Sequence, residues 1–159
     1  MAWTPAVYRS PIDTQWIDYN GHLRDSYYAL LYSLATDAIM DEVGLDDAYR
    51  KRTACTLYSL EMHIHYVNEV MGTDEVTIAS RLLDHDAKRM QVAMAMSTPR
   101  HAEPVSFCEF MLLHVQQGDH PRSAPFPDEV QRKIGAWSAA QAAGLPAWPG
   151  SRRMEIRRR

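Results

Sequence analysis

Two cysteines in 159 residues, Cys55 and Cys108, are too few for a disulfide framework, and neither stands in a Cys-x-x-Cys pair or at a Cys/His metal spacing. Both lie inside apolar segments and read as small buried hydrophobes. No apolar run reaches the roughly 18 to 20 residues that span a bilayer. The opening residues MAWTPAVYRSP lack the basic, apolar and small-residue order of a secretory signal, so a cytoplasmic protein without a membrane partner is expected. Basic charge is scarce until the last nine residues: positions 1–150 carry 12 Lys and Arg against 19 Asp and Glu, a balance of −7. Such a body repels nucleic acid. The segment 151–159, SRRMEIRRR, holds five arginines and reads as a solvated basic tail, with contact to RNA or a ligand phosphate as the alternative. A chain that is 46% hydrophobic and 23% charged fits one domain with a real core, placed at residues 1–150.

What is present begins with a short extended segment, AVYRSPI, and then eleven uncharged positions from Ser26 to Thr36. Tyr27, Tyr28, Leu31, Leu34, Ala35, Ala38 and Ile39 recur at spacings of three and four, which predicts a helix capped by Asp25 or Ser26 and ended by Gly44. Uncharged around three turns, it is expected to be wrapped on all sides. Four segments at strand period follow. In 53–67, Tyr58, Leu60, Met62, Ile64 and Tyr66 alternate with Ser59, Glu61, His63 and His65; the others are 75–86, 89–99 and 104–116. Short connections predict antiparallel neighbours in one long meander. A last helix over 127–143 opens at Pro127, carries Asp128 and Glu129 in its first turn, and ends near Gly144. A sheet curled around an apolar helix gives the α+β class, and an exposed sheet edge favours a dimer.

Polar chemistry concentrates in WIDYNGHLRDSYY, residues 16–28, where Asp18, Asn20 and His22 fall on alternate positions. By residue type alone Asp18 is a nucleophile, a general base or a turn residue, and Asn20-Gly21 is a tight-turn dipeptide. The stretch resembles the hot-dog fold acyl-CoA thioesterases of the 4-hydroxybenzoyl-CoA thioesterase and acyl-ACP thioesterase type, whose signature is an Asp-x-Asn-Gly-His or related loop feeding the central helix. The likeness covers about residues 5–118. The segments DYNGHLRDSYYALLYSLATDAIMDEVG, SLEMHIHYVNEV, DAKRM and EFMLLHVQ are similar to the betainyl-CoA thioesterase branch linked to carnitine breakdown. This resemblance implies a hot-dog fold, hydrolysis of an acyl-CoA to acid and CoA, assembly as a homodimer or dimer of dimers, and no metal or cofactor. It also implies that Asp18 works beside free backbone N–H groups at the helix start, around Arg24 to Ser26.

The candidate catalytic residues are therefore Asp18, Asn20, His22, Asp25 and Glu61. Asn20 holds water or the Asp18 carboxylate, and His22 is read as a loop-fixing partner rather than a general acid. Glu61 shares the polar face of its strand with His63 and His65 and suits solvent or a subunit contact, unless a bulge turns it into the acyl pocket. His63 and His65 make half a zinc site with no evident third ligand. Candidate substrate-binding residues are Trp16, Tyr27, Tyr28 and Tyr58, joined by Tyr32 and Tyr66, because aromatic faces attract quaternary ammonium groups. Lys88 and Arg89, or Arg100 and His101, are candidates for CoA phosphates. Two other classes remain open: a non-catalytic acyl-CoA binding module, and a hydratase pairing Asp18 with His22.

Overall fold

The computed structural model describes residues 7–141, so the basic tail and the helix end near Gly144 lie outside the described residues. The elements run β1 (Val7–Pro11), a 3-10 turn (Thr14–Trp16), α1 (Asp25–Val43), α2 (Asp47–Thr53), β2 (Cys55–Tyr66), β3 (Glu75–His85), β4 (Arg89–Ser97), β5 (Ser106–Gln116), β6 (Arg122–Ser123) and α3 (Asp128–Gln141). All pairings are antiparallel, in the order β1-β3-β4-β5-β2, with β6 added to β5. Among the described residues no helix is long and apolar enough to cross a membrane.

The α1 helix lies on one face of this sheet. Tyr28, Leu31, Tyr32, Ala35, Ile39 and Val43 form its buried stripe, set against rows of inward side chains such as Ile78–Met96–Ser106 and Leu82–Val92–Phe110. The expected burial on all sides does not hold within one chain. Ser26, Leu30, Ser33 and Asp37 form an exposed stripe, because serine hydroxyls solvate that face through the uncharged turns before Asp37. Arg24, not Asp25 or Ser26, occupies the N-cap position, and no side chain caps it. The stop at Gly44 is as expected: its φ is +90°, and its N–H and that of Leu45 close back on Asp41 and Met40. Gly44→Ala should lower stability by about 1–2 kcal/mol, since a Cβ there is strained at that φ and would sit 3.2 Å from Lys133 Nζ. A thermal melt should show a midpoint lower by several degrees.

Strands β3, β4 and β5 form the predicted meander, but β2 does not join it beside β3. It pairs with β5 at the sheet edge, and residues 67–74 cross the end of the sheet to reach β3. A bulge at Leu60 also splits the alternation of β2: Ser59 pairs with buried Leu112, while Met62 pairs with buried Phe110. Leu57 and Ser59 thus face inward before the bulge, and Met62, Ile64 and Tyr66 after it. Tyr58 is on the outer face with Glu61, His63 and His65, which corrects the single apolar face read from the sequence. Both cysteines are buried and free.

The α3 helix docks through Val130, Ile134 and Trp137. Its Gln141 side chain satisfies both peptide groups of Leu82, at 2.7 and 3.0 Å, where β3 itself bulges.

Candidate active site

The loop between the 3-10 turn and α1 is fixed almost entirely by its own backbone and one carboxylate. Asp18 N donates to His22 O (2.8 Å) and Gly21 N to Asp18 O (3.1 Å), with Gly21 at φ +82°. Asp18 Oδ1 accepts from Asn20 N (2.8 Å) and His22 N (3.1 Å). The peptide groups of Asn20 and His22 thus hold the carboxylate. These N–H groups, His22 foremost and assisted by the charge of Arg24, keep the partly exposed Asp18 carboxyl below the usual carboxylate range. Asp18 is ionised at neutral pH.

The loop stands on the crossover that follows β2. Leu23 N donates to Val70 O (2.7 Å), His22 bridges Met71, and Arg24 N donates to Trp16 O (2.9 Å). Packing beneath is close: a Cβ on Gly72 would lie 3.0 Å from Ile17 Cγ1. Asp74 locks this platform. Its Oδ2 accepts from Met71 N (2.9 Å), its Oδ1 accepts from Arg100 Nη2 (2.9 Å), and its backbone closes on Met71 and Ile12.

Burial pushes the Asp74 carboxyl up, but the Arg100 guanidinium and the Met71 N–H outweigh it, so the group lies below its ordinary value. A carboxyl depressed in the folded state adds stability above its unfolded pKa and loses it as pH falls through the folded value. Asp74→Asn should therefore lower the urea midpoint at pH 7 by the equivalent of about 1–2 kcal/mol, a figure reduced because Arg100 is half-exposed. The gap from the parent should begin to narrow near the ordinary value of 3.8 and close as pH falls through the lower folded value.

Between the start of α1 and the end of β2 lies a groove of about 480 Å³, lined by Asp18, Tyr19, His22, Leu23, Arg24, Asp25, Tyr28, Tyr66, Val67, Asn68 and Glu69. Here the first turn of α1 offers the peptide N–H of Asp25, which has no acceptor among the described residues; Ser26 N is taken by Asp25 Oδ1 (2.7 Å) and Tyr27 N by Arg24 O (3.0 Å). The Tyr66 hydroxyl donates to Asp25 O (3.2 Å), and the rings of Tyr28 and Tyr66 meet edge to face at 5.1 Å. Burial pushes the Tyr28 hydroxyl up to about 12, so it stays protonated.

Of the residues singled out in the sequence, the groove brings together Asp18, His22, Arg24, Asp25, Tyr28 and Tyr66, while Tyr32 is buried in the core. Asn20 is exposed on the loop. Trp16 and Tyr27 stack on each other at 5.5 Å and do not line the groove. Glu61 lines a separate small hollow on the outer face with His63, Gln91 and Glu109; the bulge falls at Leu60 and leaves Glu61 outward. Lys88 and Arg89 occupy the β3–β4 turn at the far end of the sheet, where Arg89 pairs with Asp86 and Lys88 with Ser123. Arg100 is on the groove's side of the sheet but spends its guanidinium on Asp74. Among the residues that sequence reasoning missed are Glu69, which lines the groove, and Asp74, which braces the platform beneath it; both belong to the crossover, whose path no local pattern announces.

The thioesterase-like superfamily matches residues 12–134. The chain is 40% identical over 150 residues to the betainyl-CoA thioesterase of Pseudomonas aeruginosa, covering 94% of this chain and 93% of that one. It is 32% identical over 145 residues to the L-carnitine dehydrogenase/betainyl-CoA thioesterase of Agrobacterium fabrum, covering 91% of this chain and 29% of that larger protein. A crystal structure from Pseudomonas putida superposes with a TM-score of 0.83 at 32% identity, covering 97% and 98% of the two chains. A Staphylococcus aureus protein solved in complex with CoA shares the fold, with a TM-score of 0.89 at 24% identity and 98% coverage of both chains.

Proposed function

The chain belongs to the thioesterase-like superfamily, a hot-dog α+β protein, and on that premise we propose that it hydrolyses betainyl-CoA or a related small acyl-CoA to the free acid and CoA. One observation carries the site assignment: an ionised carboxylate, Asp18, lines the same groove as Asp25, the residue that opens α1 and whose peptide N–H has no acceptor among the described residues. Thioester cleavage needs an attacking group and a donor where negative charge collects on the carbonyl oxygen. The Asp25 N–H, at the positive end of a 19-residue helix, supplies the donor. Asp18 supplies the attack in one of two ways. Its oxygen adds to the carbonyl carbon and expels the CoA thiolate as a mixed anhydride that water then opens, or it takes a proton from a water that attacks directly. A single turnover in ¹⁸O-water that leaves the acid product unlabelled and puts the label into Asp18 establishes the first route, with water opening the anhydride at the aspartyl carbon.

Assembly as a homodimer, or a pair of such dimers, completes this reading. Strand β2 is a 12-residue edge bearing exposed Tyr58, Leu60, Met62 and Tyr66. Antiparallel pairing of two copies about its midpoint sets Tyr66 of one opposite Cys55 of the other, so the second copy's β2 forms a further wall of the groove. We place the enzyme in the cytoplasm and in carnitine breakdown, with residues 1–150 as its domain and 151–159 as a basic tail.

Incubation with betainyl-CoA, acetyl-CoA and an enoyl-CoA, followed with a thiol reagent, tests the proposal. Thiol release from the first is expected. Release from none of them would overturn the proposal, and hydration of the enoyl ester would establish the hydratase instead.

A further inference from the structure

We propose that the corner formed by Tyr28, Tyr66 and Glu69 is a recognition subsite for a quaternary ammonium head on the acyl group, and that it sets the preference of the groove for a cationic over a neutral acyl chain of the same shape. This rests on the thioesterase reading of the same groove.

Charge is the first ground. The lining holds three carboxylates, Asp18, Asp25 and Glu69, against one guanidinium, Arg24. A surplus of negative charge beside the scissile bond opposes the phosphates of CoA, and of the cations expected to meet those phosphates Lys88 and Arg89 stand at the other end of the sheet while Arg100 is engaged by Asp74. The portion of the substrate that gains from this field is therefore the acyl end, and it gains only if it is positive. Glu69 is exposed, makes no hydrogen bond or ion pair among the described residues, and acts electrostatically on Tyr28 and, at longer range, on Arg100, whose guanidinium is bonded to Asp74. Asp18 and Asp25 each hold backbone N–H groups. Glu69 is thus the carboxylate of the three that is left to face a ligand charge.

Ring geometry is the second ground. Tyr28 is buried and Tyr66 is 54% exposed, and their planes meet at 84°. Two rings at right angles make a corner, and the Tyr66 hydroxyl bond to Asp25 O pins the outer ring across the groove. Ring faces carry negative quadrupole density that attracts an alkylated ammonium, which has no N–H to donate and so is poorly served by hydrogen-bond acceptors alone. A carboxylate behind an aromatic corner suits such a group, and the groove's 480 Å³ leaves room for it beside the thioester.

The test compares betainyl-CoA with 3,3-dimethylbutanoyl-CoA, its uncharged isostere with carbon in place of nitrogen. The wild type should favour the cationic ester in kcat/KM by about tenfold or more. Glu69→Gln and Tyr66→Leu should each cut that ratio by at least about threefold, while Tyr66→Phe, which keeps the ring, should retain most of it. Because Glu69 is exposed, its variant tests the idea even if Tyr66→Leu does not fold. A wild type that treats the two esters alike, or variants that leave the ratio untouched, overturns the subsite. Were neither ester cleaved, the thioesterase reading would fail separately. Calorimetric binding of the two non-hydrolysable thioether analogues still decides the subsite in that case: equal affinity refutes it and tighter cationic binding sustains it.

Discussion

Asp18→Asn should slow thiol release from the best acyl-CoA by at least about a hundredfold, with KM changed far less. The substitution is nearly isosteric and keeps an oxygen that accepts from the N–H groups of Asn20 and His22, which now hold Oδ1. The loop and its platform therefore survive, and what disappears is the negative charge, needed equally by a nucleophile and by a general base. Asp25→Asn is the control that locates the chemistry. On the proposed mechanism residue 25 acts through its peptide N–H, which is indifferent to the side chain, so this variant should lose no more than a fewfold. The pH dependence gives a second reading. The backbone donors keep Asp18 below its ordinary value of 3.8, so kcat/KM should be flat from neutral pH to about 5 and have its acid limb below 3.8. Undiminished turnover by Asp18→Asn would falsify the mechanism whatever the fold.

The parts of this molecule that were legible in the sequence are those whose causes are local. Gly44 stops α1 because the chain must turn left-handed there, and the turn is closed by neighbours within five residues. The Asp18 loop was legible for the same reason: the bonds that fold it back on Asp18 join positions 18 to 22. Strands β3, β4 and β5 follow one another through short turns and pair as neighbours. Strand β2 fails this logic at two points. Its alternation looked unbroken, yet one extra residue at Leu60 reverses the faces before it, and an alternating row of apolar side chains carries no mark of a bulge. Its partner is β5, distant in sequence, so the crossover carrying Glu69 and Asp74 to the Asp18 loop had no local signature. The apolar length of α1 was legible, but its exposed stripe was not, because serine satisfies water as well as a charge does at that position.

Leu60→Asp should convert the proposed dimer to monomers. With Tyr66 set opposite Cys55 about the midpoint of β2, Leu60 of each copy faces Glu61 of the other, so the substitution gathers four carboxylates around the two-fold axis. Like charges directly opposed across strands destabilise pairing, and the loss of two exposed leucines removes apolar burial from the same spot. Leu60 is 53% exposed in the single chain and lies at a bulge, so the monomer's own fold should tolerate the change, with a melting midpoint close to that of the parent once dimer linkage is accounted for. Sedimentation at micromolar concentration should show the parent at twice 18.2 kDa or a multiple of it, and the variant at 18.2 kDa, with partial recovery of the dimer in high salt as the carboxylates are screened. If the second copy's β2 walls the groove, activity must fall together with the dimer and return as protein concentration or salt restores it. A parent that sediments as a monomer, or a variant that stays dimeric, removes β2 from the interface. A monomeric variant with full activity would keep the interface but separate it from catalysis, since the groove would then be complete within one chain.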